Sequence, residues 1–241
     1  MTQTEDARSR LKRIIGEDGL EKLDGAIVAV FGLGGVGSSC AEALVRGGVG
    51  NFLFVDKDEV EPSNINRQAI AFVSTIGQRK VDVMRAMALD INPDARIETL
   101  DAFVNSDNLE ELMNAFPKPD YIVDAIDTLT VKVALAKYAQ AHGIPIVSAM
   151  GGANKLDPTQ LEFSKLTKTR VCPLCREMRK IARDNGLEDV DVLFSPEQPV
   201  RRSTESRPDR RERTELGTMS YMPPIMGQML AYKVIQKLLN Q

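Results

Sequence analysis

Apolar positions along this chain fall into short unbroken runs separated by segments with helical spacing. Ala26–Phe31 is the first such run, six apolar residues with nothing polar among them, as a strand buried on both faces of a parallel sheet requires. Strands are likewise predicted over Asn51–Val55, Arg96–Leu100, Tyr121–Val123 and Ile144–Ser148, and helices over about Gly35–Arg46, Gln78–Asp90, Ser106–Ala115 and Leu129–Ala141. Ahead of the first strand, Leu11, Ile14, Ile15, Leu20 and Leu23 recur at roughly helical spacing amid charges, which predicts an amphipathic arm packed on the domain. After Asp157-Pro158 the pattern changes to short strands near Gln160–Phe163 and Val190–Phe194, a basic helix between them, and an apolar terminal helix over Pro224–Leu239.

Strict strand and helix alternation predicts an α/β fold, a Rossmann-like doubly wound and mostly parallel sheet with a short C-terminal α+β extension. One domain over residues 1–241 is expected, with a nucleotide-binding core at about 10–152 and the extension at about 153–241. The composition, 43% apolar and 27% charged, is that of a globular chain able to bury a sizeable core, and a net charge of −3 selects no partner. No apolar run approaches the roughly 20 residues that span a bilayer, and Met1–Asp6 has no signal-peptide pattern, so no membrane partner and a cytoplasmic location are expected. Three cysteines, Cys40, Cys172 and Cys175, argue against a disulfide framework.

Chemistry enters at Gly32-Leu33-Gly34-Gly35-Val36-Gly37, between the first strand and the helix after it. In that context Gly32, Gly34, Gly35 and Gly37 let backbone approach a phosphate and let helix amides face it. Asp56, 19 positions after Gly37 and at the end of the second strand, stands where an acid meets ribose hydroxyls. Asp58 belongs to the same nucleotide-binding set. NAD and ATP are not distinguished by these residues alone. Asn64-Ile65-Asn66-Arg67-Gln68 and Lys80 tip the balance, because two cations converging on one end suit a transferring phosphoryl centre. Asp124 and Asp127 follow at the carboxyl end of the fourth strand, and Asp127, further out, is the candidate for magnesium, with Asp124 capping or hydrogen-bonding locally.

In order and spacing, Gly32 to Gly37, Asp56, Asn64-x-x-Arg67-Gln68, Gly77-x-x-Lys80 and Asp124-x-x-Asp127 resemble the adenylating domain of the ubiquitin-activating enzyme superfamily, over about Arg10 to Gly152. That resemblance implies ATP and Mg2+ as cofactors. It gives Asp56 to the ribose, Asn64, Arg67 and Lys80 to the phosphates and transition state, and Asp127 to the metal. Arg10, six residues before Gly16, is similar to an arginine donated across a homodimer to the partner's ATP. Within the superfamily, the arm, Gly151–Thr159 and Val171-Cys172-Pro173-Leu174 look most like the dehydratases that cyclise threonylcarbamoyladenosine at position 37 of tRNA. A tRNA substrate is therefore implied. The alternative is adenylation of the C-terminal glycine of a sulfur-carrier protein, with a carrier or a cysteine desulfurase as partner.

Cys172-x-x-Cys175 is half of the four-thiolate zinc site of many carrier adenylyltransferases. The second pair is absent from the sequence, which leaves an incidental structural role or a redox or transient-metal role. Arg201–Arg213 carries six arginines against three acids and no apolar residue, so it reads as an exposed loop suited either to phosphates or simply to solvent.

Overall fold

A computed structural model of the protein describes residues 5–200 and 216–240. Seven strands form one sheet: β1 (Ile27–Phe31), β2 (Asn51–Val55), β3 (Arg96–Leu100), β4 (Tyr121–Asp124), β5 (Ile146–Ala149), β6 (Glu162–Lys165) and β7 (Asp191–Phe194). Their order is β3-β2-β1-β4-β5-β7-β6, with every pairing parallel except β6 against β7. The chain winds outward from β1 to β3 and then restarts on the other side of β1 with β4. Ligands of open α/β sheets bind at such a switch point, beyond the carboxyl ends of the strands.

Among the described residues seven α-helices flank the sheet: α1 (Ser9–Gly25), α2 (Gly35–Arg46), α3 (Lys80–Ile91), α4 (Leu109–Asn114), α5 (Leu129–Ala141), α6 (Pro173–Asp184) and α7 (Met222–Leu238). One face of the sheet packs Val28, Val30 and Phe54 against Leu44 of α2, Met84 of α3, and Met226 and Leu230 of α7. The other face packs Ala29, Phe31 and Ile122 against Leu109 and Met113 of α4 and Leu135 of α5. α6 closes a third cluster with Val192 and Phe194 of β7. α7 lies directly on α2 because Gly227 has no side chain: a Cβ there would stand 2.5 Å from the Val36 carbonyl oxygen. The apolar terminal helix thereby brings its start to the glycine turn.

Where boundaries differ from the sequence expectation, hydrogen bonding supplies the reason. β5 begins two residues late because Pro145 has no N–H to give to a ladder. α4 begins at Leu109 instead of Ser106 because the Asn105 side chain accepts from the N–H groups of Asp107 and Asn108, holding a turn in place of helix. α3 begins at Lys80 because Arg79 pairs with Glu59 in an isolated bridge, which keeps the chain extended up to that point. The arm is helical as expected but is bent at Gly16, whose φ of 74° breaks the run. Arg201–Arg213 lies outside the described residues.

Candidate active site

At the end of β1 the chain turns on Gly32, whose φ of 86° favours glycine and whose missing Cβ leaves room for the Ala125 carbonyl oxygen, which would be only 2.8 Å away. Gly37 serves packing: a Cβ on it would sit 1.7 Å from the Gly32 carbonyl oxygen, so only glycine lets α2 start this close to the turn. No side chain caps α2, so the first-turn N–H groups that lack helical partners remain available to an anion, reinforced by the positive end of the helix dipole.

In front of this turn opens a cavity of about 690 Å3. Gly32, Gly34, Gly35, Asp56, Asp58, Asn64, Arg67, Gln68, Lys80 and Asp127 all line it, although they come from four separate stretches of sequence. Two residues assigned to the site from the sequence do not. Gly37 lies beneath the turn, and Arg10 is exposed on the outer arm.

Asp56 is held from two sides: its Oδ2 accepts the Leu33 N–H at 2.5 Å and its Oδ1 accepts the Asp58 N–H at 2.9 Å. The loop after β2 is thus tied to the glycine turn. Lys80 is 6% exposed and its Nζ donates to Asp58 Oδ2 at 3.1 Å. Burial pushes the Asp58 carboxyl up, but the Lys80 hydrogen bond and charge, aided by Lys57, outweigh it and hold Asp58 below the usual carboxylate range. Arg67 Nη1 donates to the Ser63 carbonyl and to Asn66 Oδ1, both at 2.9 Å, which parks the guanidinium on its own loop at the cavity edge. Asn64 Oδ1 accepts the Glu61 N–H at 3.2 Å, bracing that loop. Gln68 is buried and its Oε1 has no partner among the described residues, an orphaned acceptor in the cavity wall.

The two acids after β4 separate as their positions suggest. Asp127 is exposed at the cavity, with the Thr128 hydroxyl donating to it at 3.3 Å, so most of its lone pairs face outward. Asp124 is fully buried and pairs with Lys132. Among the described residues no cluster of three or more His, Cys, Asp or Glu could hold a metal by itself, so a cation here would need substrate oxygens to complete its shell.

Other cavity residues carried no recognisable sequence signal. Gly152, at the end of the core, and Thr218, Pro223 and Met226, in the C-terminal extension, read as turn or core. Phe103, just past β3, is 55% exposed at the cavity with Lys57 Nζ 5.6 Å from its ring centre. Its only trace in the sequence is an isolated aromatic beyond the carboxyl end of a strand.

Cys172 precedes α6 and Cys175 lies in its first turn; both are buried in the apolar cluster under that helix. The Cys175 thiol, and then the N–H groups of Cys175 and Gly151 and the charge of Lys155, favour the Cys172 thiolate against the opposing effect of burial. The Cys175 thiol is pushed the other way by its neighbour. Burial alone raises Cys40.

Known proteins resemble this chain in sequence and in fold. Residues 7–241 match the ThiF family model. tRNA threonylcarbamoyladenosine dehydratase of Bacillus subtilis (strain 168) is 38% identical over 241 residues, spanning 96% of this chain and 94% of that protein. The Escherichia coli (strain K12) protein of the same name is 36% identical over 196 residues, 78% of this chain and 72% of that one. The crystal structure of E. coli tRNA N6-threonylcarbamoyladenosine dehydratase in complex with ATP superposes with a TM-score of 0.86 at 32% identity, covering 98% of this chain and 96% of the other. With the glycine turn, the paired loops and the cavity all present in one fold, and with the family match running from the arm to the last residue, the chain belongs to the ThiF family.

Proposed function

We propose that this chain uses ATP to adenylate the carboxylate of N6-threonylcarbamoyladenosine at position 37 of tRNA, and then closes the modified side chain into its cyclic form with release of AMP. The single observation that supports it most is the cavity at the switch point, where α2 amides, Asp56, Arg67, Lys80 and Asp127 surround one space sized for a nucleotide. The relatives and the ATP-bound neighbour support the same substrate and cofactor.

In this reading Asp56 holds the ribose. Asn64, Gln68 and the α2 amides bind the phosphates. The substrate carboxylate attacks the α-phosphorus and pyrophosphate leaves, while Arg67 and Lys80 stabilise the charge that develops on the phosphoryl oxygens. An internal nucleophile of the modified adenosine then attacks the acyl carbon and AMP departs. Mg2+ fits the donor set, because one outward carboxylate, Asp127, plus phosphate oxygens is the usual way that ion is held, and it would neutralise phosphate charge there. Lys80 must exchange Asp58 for phosphate on binding, so Asp58 keeps the ammonium placed until ATP arrives.

The acting unit is a homodimer in which Arg10, exposed and outside its own cavity, completes the partner's site. Residues 1–241 work as one domain, since the extension supplies Ala153, Thr218, Pro223 and Met226 to the cavity wall. Among the described residues no helix is long and apolar enough to cross a membrane; the cytoplasm is the proposed place of action. The arginines of Arg201–Arg213 suit tRNA phosphates. A sulfur-carrier protein as substrate, or a cysteine desulfurase as partner, is the second reading.

The test is pyrophosphate release from ATP with tRNA bearing threonylcarbamoyladenosine, with unmodified tRNA, and with carrier proteins. Release should require the modified tRNA. Release driven by a carrier protein alone would replace this reading with the second one.

A further inference from the structure

Lys132 lies on α5 and is 0% exposed, as is Asp124 at the end of β4, and their charged atoms are 3.1 Å apart. Nothing in the adenylation chemistry above uses either group. Removing two charges from water is costly, and apolar side chains of similar volume often serve a core as well as a buried ion pair does, so the pair is weak evidence of a stabilising role. Its hydrogen bonds are more informative. Lys132 Nζ donates to Asp124 Oδ2 at 3.1 Å and to the Ala149 carbonyl oxygen, at the end of β5, at 2.8 Å. The other Asp124 oxygen, Oδ1, accepts the Ile126 N–H at 3.2 Å.

These contacts fall at the roots of two cavity loops. Past Asp124 the chain runs through Ala125 and Ile126 to Asp127, and all three line the cavity. Past Ala149 it runs through Met150 and Gly151 to Gly152 and Ala153, and the last two line it as well. The Ala125–Asp127 loop also backs the glycine turn, since the Gly32 position tolerates no Cβ against the Ala125 carbonyl. The Gly152 loop presses on α7, where a Cβ would meet Met226 Sδ at 2.7 Å.

We infer that Lys132 is a positioning residue of the adenylation site: through Asp124 and the Ala149 carbonyl it joins the Asp127 loop and the Gly151-Gly152 turn into one rigid unit beneath the cavity. The inference rests on the proposed adenylation for its catalytic consequence, and on the hydrogen bonds for its structural one. One ammonium bonded to acceptors on two adjacent strands sets the spacing of their ends, which an apolar pair of the same volume would not do.

The experiment is the double variant Asp124→Val with Lys132→Met, which removes both charges at similar volume and leaves no unpaired ion. The expected result is a thermal midpoint within a few degrees of the parent, faster hydrogen exchange at the Gly151 and Gly152 amides, and a kcat for ATP–pyrophosphate exchange lowered at least roughly tenfold while the KM for ATP changes far less. Parental exchange at those amides together with parental turnover would overturn the inference and leave the pair a core ion pair only. If the double variant does not fold, Asp124→Asn provides the same readings, because it retains an acceptor for the Ile126 N–H and removes the charge that anchors Lys132. Should the parent itself show no ATP–pyrophosphate exchange, the proposed function fails, and the amide exchange still decides whether Lys132 positions the two loops.

Discussion

The Leu33 N–H, in the turn after β1, donates across 2.5 Å to Asp56 Oδ2 at the end of β2. One carboxylate thus shapes the glycine turn and, in the proposed function, holds the ribose. Asp56→Asn should therefore lower stability by about 1–2 kcal/mol, because the amide replaces one of two acceptors facing backbone N–H groups. It should also weaken ATP binding by roughly tenfold or more. Calorimetry with ATP alongside urea denaturation reads both, and intact ATP affinity would remove Asp56 from the site.

Gly37→Ala tests packing instead of binding. Its Cβ would collide with the Gly32 carbonyl at 1.7 Å, a backbone contact that cannot yield by a rotamer change. A loss of about 3 kcal/mol is expected, at the upper end of overpacking costs. Gly25→Ala, where a Cβ would meet nothing within 4 Å, is the control and should stay within about 0.5 kcal/mol of the parent. Equal midpoints for the two variants would contradict the close approach of α2 to the turn.

Asp127→Asn should fold like the parent, since this exposed carboxylate accepts a single 3.3 Å hydrogen bond from Thr128. If it holds Mg2+, ATP–pyrophosphate exchange should fall at least roughly tenfold and need more magnesium for half-saturation. Unchanged magnesium dependence would send the metal elsewhere.

A mixed-subunit experiment reads the role of Arg10. If Arg10 completes the partner's site in a homodimer, as proposed, an Arg10→Ala chain and a Lys80→Ala chain, each inactive alone, should recover part of the activity when mixed, because one of the two composite sites in the heterodimer would be whole. No recovery after confirmed subunit exchange would mean that Arg10 acts within its own chain or takes no part.

The Cys172 thiol supplies a pH prediction. The Cys175 thiol, the nearby N–H groups and Lys155 hold it down from 9.0 to about 6 in the folded chain. A group depressed by folding adds stability that is complete above its unfolded value and is lost as pH falls through the folded one. The stability difference between parent and Cys172→Ser should consequently grow from pH 6 to pH 9, measured by urea denaturation across that range. Parallel profiles would show that the buried thiol stays protonated.

Much of this protein is determined locally and can be read from its sequence. β2 and β3 span the residues their patterns predict, as do α2 and α5, because an apolar run, an alternating edge strand or a helical apolar stripe each buries the same face wherever the sheet places it. Gly32, Gly34, Gly35, Asp56, Lys80 and Asp127 were legible for a related reason: in a doubly wound sheet each sits just beyond the carboxyl end of a strand or at a helix start, positions that strand and helix periodicity already mark. The tertiary structure decided what depends on contacts between distant segments. It placed Gly37 under the turn, not in the cavity, because the distance between α2 and the Gly32 carbonyl is set by packing. It brought Met226 and Pro223 to the cavity because Gly227 lets α7 lie against α2, a crossing that an apolar helix does not announce. It also buried Lys132, a lysine on an otherwise ordinary helix, where Asp124 and the Ala149 carbonyl meet it from two different strands. Periodicity records which face of an element is dry, whereas the partner a buried charge finds there is fixed only when the strands are side by side.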